Sequence, residues 1–320
     1  MPPVLSSLNS IMRAKAVQKS MSDRVQRTGD FILRKLAQKQ CQTTSTPLRA
    51  PLIVGINGAQ GSGKTTLVRG LVDFLTARNI STVGFSLDDL YLPYAEQLEV
   101  RKQNPSNPLL CFRGQPGTHD LSLGRSTLTS LLEGTEETRI PRYDKSLHSG
   151  YGDRVPLDEW PKAAPPVDVV LFEGWCLGFR SLNTGEFSEY LAGVHGSSVL
   201  YKYSRKYSDA NLAQINTNLE EFEKTLYGLI DAWVYMRVAD VDVVYRWRKE
   251  QEDAMAALGK PSLSDQQLED FVERFMPLYE IALGKLDRKG FLASGLFEDY
   301  YTLRMHLDMD RNVVAWDHIL

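Results

Sequence analysis

The sequence predicts an α/β protein with a doubly wound parallel sheet, in which one layer of strands lies between two layers of helices. Three observations support this prediction. The runs "VDVVLFEGW" (167–175) and "AWVYMRV" (232–238) are almost continuously apolar, which is typical of parallel strands buried on both faces. Segments with helical spacing of apolar residues alternate with these strands. A glycine-rich loop at 55–66 follows an apolar run and precedes a helical pattern.

Composition and charge exclude several classes of protein. The chain has 320 residues, of which 42% are hydrophobic and 24% charged, as in ordinary globular proteins. The formal net charge of −3 argues against nucleic acid as the main partner. No apolar run approaches the roughly 20 residues of a membrane span. We therefore expect neither a nucleic-acid nor a membrane partner.

The first 50 residues form a basic N-terminal extension that we expect to be partly helical, with a helix at 22–40. They contain nine Lys or Arg and two Asp or Glu residues. Residues 1–22 lack acidic residues, so an organelle-targeting segment is an alternative to a simple amphipathic leader. Three cysteines form no CxxC pair, which is typical of reduced thiols. We expect a cytoplasmic protein, with an organelle or the nucleus as alternatives.

Residues 51–320 are expected to form one main domain. After the first helix, "STVGFSL" (81–87) is predicted to be a strand. Residues 93–166 are rich in Pro and Gly, and we expect an irregular functional insertion with one helical piece near 121–132. Three later segments show helical apolar spacing: 211–230, 241–258 and 265–286.

The stretch "GINGAQGSGKTT" matches the phosphate-loop pattern GxxxxGK[ST], with a strand before it and a helix after it. In such loops, glycines let backbone N–H groups point at phosphate oxygens. Lys64 can reach the β- and γ-phosphates, and the Thr65 hydroxyl can bind Mg²⁺. GTPases, motor ATPases and small-molecule kinases share the pattern. The predicted nucleotide-binding residues are Gly58, Ala59, Gln60, Gly61, Ser62, Gly63, Lys64, Thr65 and Thr66.

Acidic residues follow two of the predicted strands. Asp88 and Asp89 end the second strand, and Glu173 ends "VVLFE". The carboxyl ends of strands line the ligand crevice in doubly wound sheets, so these carboxylates can serve as a base or bind Mg²⁺. Adjacent residues point in different directions, so only one of the two aspartates is expected to face the phosphates. Turn or helix-cap roles are the alternative for all three residues.

Arg246 and Arg248 lie in "YRWRKE", where a predicted helix begins. Arginines near a transferring phosphate stabilise the charge of the transition state. The two residues are about 200° apart on a regular helix, so both cannot face the phosphates. The sequence leaves open which one does, and a solvated basic face is the alternative.

The insertion contains a mixture of cationic, acidic and aromatic residues that suits a small acidic, hydroxylated substrate, although an ordinary surface loop is also polar. His and Cys spacing gives no indication of a zinc site, and the nucleophile elbow of Ser hydrolases is missing. The candidate residues are Arg113, His119, Asp120, Arg142, Tyr143, Lys145, His148 and Arg154.

Several uncommon stretches occur together and in order, and residues 50–320 resemble the D-glycerate 3-kinases of plants and their fungal relatives. The group in turn is similar to uridine kinase, phosphoribulokinase and pantothenate kinase. The resemblance implies a P-loop NTPase fold of the small-molecule kinase type, with 93–166 as a substrate-loop insertion and 241–290 as lid and C-terminal helices. The stretches that carry it are "GINGAQGSGKTT", "SLDDLYL", "NPLLCFRGQPGTHDL", "PRYDKSLHSGYGDR", "LFEGWCLGF", "DAWVYMRV" and "VYRWRKEQEDAM".

The resemblance also implies roles for single residues. Asp88 matches the catalytic base of the group, whereas Asp89 lies where its members vary. Glu173 matches an acidic residue near Mg²⁺, which Thr65 and Asp88 are also expected to help bind. Either Arg246 or Arg248 corresponds to a lid arginine. For the acceptor site, the implied or candidate residues are Arg113, His119, Asp120, Tyr143, Lys145 and Arg154.

The expected activity is transfer of the γ-phosphate of ATP to a hydroxyl group, namely the 3-hydroxyl of D-glycerate. Planar guanidinium groups of the insertion are suited to pair with the glycerate carboxylate. One alternative is a kinase for another hydroxylated metabolite, such as a nucleoside or a pantothenate-like compound. Another is a non-catalytic nucleotide-binding interaction protein. A GTPase is disfavoured because the guanine-reading NKxD motif does not occur.

Overall fold

The computed structural model describes residues 3–42, 50–196, 198–259 and 262–319, with the backbone alone for 3–20. Its strands alternate with helices along the chain. The six long strands are β1 (Leu52–Gly58), β2 (Thr82–Ser86), β7 (Val169–Gly174), β8 (Ala232–Val238), β9 (Thr302–Leu307) and β10 (Val313–Ile319). Four two-residue strands lie in the insertion: β3 (Thr138–Arg139), β4 (Tyr143–Asp144), β5 (Asp153–Arg154) and β6 (Lys162–Ala163).

The long strands form one sheet in the order β10–β9–β8–β1–β7–β2. Five strands are parallel, and β10 pairs with β9 in the antiparallel direction at one edge. Every residue of β1 and of β7 is buried. The prediction of a doubly wound sheet of the P-loop type is confirmed, with one antiparallel edge strand added.

Helices flank the sheet, and none in the described part of the chain is long and apolar enough to cross a membrane. They are α1 (Pro3–Gln42), α2 (Lys64–Thr76), α3 (Tyr94–Gln103), α4 (Leu121–Glu133), α5 (Thr184–His195), α6 (Asp209–Thr225), α7 (Val243–Ala257), α8 (Asp265–Glu273) and α9 (Met276–Lys289).

Two glycines allow α1 to pack closely against α2. A Cβ atom at Gly29 would lie 2.2 Å from the ring of Phe74, and one at Gly70 would lie 2.7 Å from a methyl carbon of Val25. Ile32 of α1 is fully buried in the same core as the sheet. Residues 25–36 of the N-terminal extension are therefore packed on the hydrophobic core.

Part of the insertion is more regular than the sequence predicts. Residues 94–103 form α3, although we expected no helix there. Gln97 is the single buried residue of this helix, so its sequence carries no apolar face that a periodicity could reveal. The helix expected at 265–286 is two helices, because α8 ends before Arg274 and a new helix begins with Pro277 in its first turn.

The centre of the sheet gives a prediction about stability. A Cβ atom at Gly55 of β1 would lie 2.4 Å from the ring of Trp233 in the neighbouring β8. Overpacking of a core typically costs about 1–3 kcal/mol, so we expect Gly55→Ala to lower the free energy of unfolding by this amount. Urea denaturation of the purified variant measures the change.

Gly228→Ala is the matched control. A Cβ atom at Gly228 would meet no heavy atom within 4 Å. Its stability should equal that of the wild type or exceed it slightly, because alanine has fewer unfolded conformations. Equal unfolding midpoints for the two variants would contradict the close packing of β1 on β8.

Candidate active site

The phosphate loop fills residues 59–63, between β1 and α2. Gly61 and Gly63 have φ angles of +78° and +93°, a region that favours glycine. Gly63 gives α2 no side-chain cap, so the first amides of the helix have no acceptor within it. The buried Ser62 hydroxyl has no hydrogen-bond partner within the described ranges. These donors and the positive end of the helix suit a bound phosphate.

Lys64 and Thr65 begin α2 and face different partners. The Lys64 ammonium donates to the carbonyl oxygens of Gly58 (2.7 Å) and Ala59 (3.2 Å), and burial lowers its pKa. The Thr65 hydroxyl donates to Oε1 of Glu173 at 2.8 Å. The Lys64 ammonium thus binds backbone oxygens of its own loop, close to where a phosphate would bind.

Two further residues of the predicted nucleotide-binding set lie beside these. The amide of Gln60 donates to the hydroxyl of Tyr279 in α9 at 3.1 Å, which ties the loop to the C-terminal helices. Thr66 lies in the first turn of α2 and is exposed.

Strand register explains why Glu173 meets the phosphate loop. Glu173 pairs with Ile56 of β1 on one side and with Ser86 of β2 on the other. It is 6% exposed, and burial raises its pKa although the Lys64 ammonium opposes this. The register therefore brings the ends of β1, β7 and β2, and with them the acidic residues, to one edge of the sheet.

Asp88 lies in a 3₁₀ turn directly after β2 and is bound by two donors. The Tyr91 hydroxyl donates to Oδ1 at 2.9 Å, and the Lys145 ammonium pairs with Oδ2. Burial acts to raise the pKa of Asp88, but these contacts outweigh it and lower the pKa to about 2. The Asp88 carboxylate is therefore ionised at neutral pH.

Asp89, in contrast to Asp88, is bound by groups of β2 and of the insertion. Its carboxylate accepts hydrogen bonds from the amide of Ser86 (3.0 Å), the guanidinium of Arg142 (3.1 Å) and the amide of Tyr143 (3.3 Å). These contacts fasten the insertion to the end of β2. The neighbouring aspartates thus differ, since one faces Lys145 and the phosphate loop while the other holds a loop in place.

A cavity of about 220 Å³ lies over the phosphate loop. A larger one of about 660 Å³ adjoins it between α2 and β2, and both contain Thr65, Asp88, Lys145 and Glu173. The Asp88–Lys145 pair therefore stands where the two cavities meet. The smaller cavity is lined by Gln60, Gly61, Lys64, Thr65, Asp88, Tyr91, Arg113, Lys145, Glu173, Trp175, Arg248, Gln251, Phe271 and Phe275.

The structure distinguishes the two arginines of α7. Arg248 lines the smaller cavity, donates to Glu252 at 2.8 Å and lies 5.1 Å from the ring centre of Phe271. Arg246 lies outside this cavity, where it pairs with Glu250 and Asp310. The sequence left open which of the two arginines faces the phosphates, and of the two it is Arg248 that lines this cavity.

The predicted substrate residues fall into two groups. Arg113 and Lys145 line the smaller cavity, and Tyr143 lines the larger one. Arg113 is held by the carbonyl oxygens of Gly150 (2.7 Å) and Tyr151. The first group therefore presents two cations towards Asp88.

The second group lines neither cavity. His119 is buried, its ring lies 4.6 Å from that of Tyr91, and burial lowers its pKa to about 4. Asp120 caps α4 through the amide of Leu123 and pairs with Arg154 at 3.1 Å. We expected these three residues at the acceptor, but in this geometry they support its walls.

Sequence reasoning missed several residues of the cavity wall. Tyr91 carries the hydroxyl that binds Asp88, and its place three residues after Asp88 was the available signal. The buried indole N–H of Trp175 finds no hydrogen-bond partner among the residues that the structure describes. Phe271 and Phe275 of the α8 region and Gln251 of α7 have no pattern that links them to the phosphate loop.

A phosphate loop at the start of a helix, with an ionised aspartate and a glutamate at the ends of neighbouring strands, is the arrangement of a P-loop NTPase, the class that includes small-molecule kinases. No family model matches the chain. It is 39% identical over 245 residues to an uncharacterised kinase of Schizosaccharomyces pombe, mug58, which covers 76% of this chain and 85% of that protein. It is 38% identical over 267 residues to the chloroplastic D-glycerate 3-kinase of Arabidopsis thaliana, covering 82% of this chain and 54% of that protein.

Among solved structures, the D-glycerate 3-kinase of Cryptococcus neoformans superposes with a TM-score of 0.83 at 33% identity, covering 92% of this chain and 99% of that one. The chain belongs to the D-glycerate 3-kinase family. It is an ATP-dependent phosphotransferase that acts on an alcohol group.

Proposed function

We propose that this kinase transfers the γ-phosphate of ATP to the 3-hydroxyl group of D-glycerate. The observation that carries the proposal is the cavity in which Lys64 and Thr65 face Asp88, Arg113 and Lys145. Relatives named D-glycerate 3-kinase support the same acceptor.

The charges of the cavity suit an acceptor that carries a carboxylate. The Arg113 guanidinium is held by two backbone carbonyl oxygens, which leaves its positive charge uncompensated by those contacts. Lys145, which pairs with Asp88, adds a second positive charge to the same cavity. A planar guanidinium binds carboxylates in two parallel hydrogen bonds, so we assign the glycerate carboxylate to Arg113.

In the proposed reaction, Asp88 binds and orients the attacking hydroxyl. The hydroxyl oxygen forms a bond to the γ-phosphorus, the bond from that phosphorus to the β–γ bridging oxygen breaks, and ADP leaves. Asp88 takes the proton of the hydroxyl as the new bond forms. Lys64, the loop amides and Arg248 neutralise the charge that spreads over the transferring group.

We also propose that Thr65, Glu173 and Asp88 bind Mg²⁺. The fit rests on the 2.8 Å contact between the Thr65 hydroxyl and Glu173 and on the ionised Asp88 opposite. Oxygen ligands of this kind suit Mg²⁺, which retains water and phosphate oxygens as its other ligands. The described residues contain no group of three or more His, Cys, Asp or Glu side chains that could hold a metal ion without such ligands. When bound, Mg²⁺ neutralises and aligns the β- and γ-phosphates.

We propose that residues 241–290 act as the lid of this site. They contribute Arg248, Gln251, Phe271 and Phe275 to the cavity wall, so their closure would exclude water from the transferring phosphate.

The free thiols of Cys41, Cys111 and Cys176 agree with a reducing compartment, and we propose that the protein is cytoplasmic.

A panel of acceptors tests the proposed function. Purified protein with Mg-ATP should release ADP with D-glycerate at a rate on the order of 10² times or more above that with uridine, cytidine or pantothenate, because none of these carries a carboxylate close to a primary hydroxyl for Arg113 and Asp88 to bind together. An assay that couples ADP release to NADH oxidation measures this. A larger rate with a nucleoside or pantothenate, or no stimulation by any acceptor, would contradict D-glycerate as the substrate.

A further inference from the structure

The turn between β9 and β10 reaches the phosphate loop through Arg311. Its Nε atom donates to the carbonyl oxygen of Gly61 at 2.7 Å. Another guanidinium nitrogen donates to Glu250 of α7 at 2.6 Å. The guanidinium also lies 4.9 Å from the ring centre of Trp247. One side chain thus joins the phosphate loop, the helix that carries Arg248 and the C-terminal strands.

The turn that presents Arg311 is fixed by its own hydrogen bonds. The Asp308 carboxylate accepts from the amides of Asp310 (2.9 Å) and Asn312 (2.7 Å). Arg311 has a φ angle of +66°, which is uncommon for a residue other than glycine and indicates a constrained position. The indole N–H of Trp247 donates to the carbonyl oxygen of Met309 at 2.8 Å. Arg311 is therefore held in one orientation.

The orientation of the Gly61 carbonyl group affects how the loop binds phosphate. A carbonyl oxygen carries partial negative charge and repels phosphate, whereas the N–H of the next residue attracts it. In the structure the oxygen of Gly61 is bound to Arg311, and the amide of Ser62 donates to Ala59 at 3.1 Å. Arg311 therefore prevents this peptide from turning its oxygen towards a phosphate.

Helix α7 is packed directly on the same glycine. A Cβ atom at Gly61 would lie 2.6 Å from the Cβ atom of Trp247. Trp247 precedes Arg248, which lines the cavity. A shift of the loop away from Arg311 would therefore also displace the helix that carries Arg248.

We propose that Arg311 is a positioning residue that keeps the Gly61 carbonyl oxygen turned away from a bound phosphate and fixes α7 relative to the loop. The proposal rests on ATP as the phosphate donor and not on D-glycerate as the acceptor. It assigns a role in nucleotide binding to a residue that lies 250 positions from its partner in the chain.

Two variants and one matched control test the proposal. Arg304 lies in β9, one of the two strands that the turn joins, and forms an ion pair with Asp317 (2.6 Å) outside both cavities. We expect Arg311→Ala to weaken ATP binding about 10–100-fold, as for the loss of charge-assisted hydrogen bonds, and Arg304→Ala to change it by less than about threefold. Arg311→Lys keeps a positively charged donor but lacks the planar guanidinium that binds Gly61 and Glu250 together. We therefore expect ATP affinity to fall about 3–10-fold in this variant.

Isothermal titration calorimetry with Mg-ATP and no acceptor gives the Kd for each variant. Because no acceptor is present, a wrong substrate assignment does not affect the result. In steady-state assays, Arg311→Ala should have a higher KM for ATP and a lower kcat than the wild type. Its KM for the acceptor should be unchanged.

Wild-type ATP affinity in Arg311→Ala, or equal weakening in Arg304→Ala, would overturn the proposal. If Arg311→Ala does not fold, Arg311→Lys decides, since unchanged ATP affinity in that variant would also overturn it. A loss in Arg311→Lys that Arg304→Ala does not reproduce supports it.

Discussion

Replacing Asp88 with asparagine is expected to lower kcat about 10²–10⁴-fold while ATP still binds. The amide keeps the shape and the hydrogen bond from Tyr91 but cannot take a proton from the acceptor hydroxyl. In the wild type, Lys145 and Tyr91 lower the pKa of Asp88 to about 2, so the carboxylate is ionised throughout the neutral range. Steady-state kinetics with D-glycerate and calorimetry with Mg-ATP measure the two quantities separately.

Asp89→Asn is the control for this variant because it changes the same group one residue away. Asp89 holds the insertion through Arg142 and the amide of Tyr143, and its amide form retains an oxygen for these contacts. We expect a much smaller loss of kcat for this variant. A near wild-type kcat in Asp88→Asn, or an equal loss in both variants, would exclude Asp88 as the base.

Replacing Arg248 with alanine is expected to lower kcat about 10²–10³-fold, since it removes the cation that the proposed mechanism uses to neutralise the charge of the transferring phosphate. Arg248 lines the cavity that contains Lys64 and Asp88, and Glu252 orients its guanidinium at 2.8 Å. The loss should appear in kcat more than in the KM for ATP, because the charge develops in the transition state.

Arg246→Ala provides a matched comparison from the same turn of α7. Arg246 pairs with Glu250 and Asp310 on an exposed surface, where ion pairs contribute about 0–1 kcal/mol. We expect its kcat to stay within about threefold of the wild type. A larger loss of kcat in Arg246→Ala than in Arg248→Ala would reverse the assignment of the two arginines.

The phosphate loop and its flanking elements could be predicted from the sequence because their signals are local. Glycines at 58–63, the lysine after them and the apolar spacing of α2 lie within one short stretch. The buried strands β7 and β8 were equally clear, since continuous apolar runs need no knowledge of their partners. Strand order then placed Glu173 and Asp88 beside the loop, as the general rule for doubly wound sheets predicts.

The residues whose surroundings the sequence could not show depend on contacts between distant parts of the chain. Polar composition and the family resemblance made His119 a substrate candidate, and in the structure its ring is buried against Tyr91 and lines neither cavity. Arg311 carries no motif, and its role depends on a hydrogen bond to a residue at the other end of the domain. Helical geometry alone showed that Arg246 and Arg248 diverge, but the lining of the cavity shows that Arg248 is the one that faces it.

The central claim is that this kinase phosphorylates the 3-hydroxyl of D-glycerate. The most direct test is to incubate the purified protein with Mg-ATP and D-glycerate and to identify the products by ³¹P nuclear magnetic resonance. The proposed function predicts 3-phosphoglycerate in an amount equal to the ADP formed. Phosphate on the 2-hydroxyl, or ATP consumption without any phosphoglycerate, would contradict it.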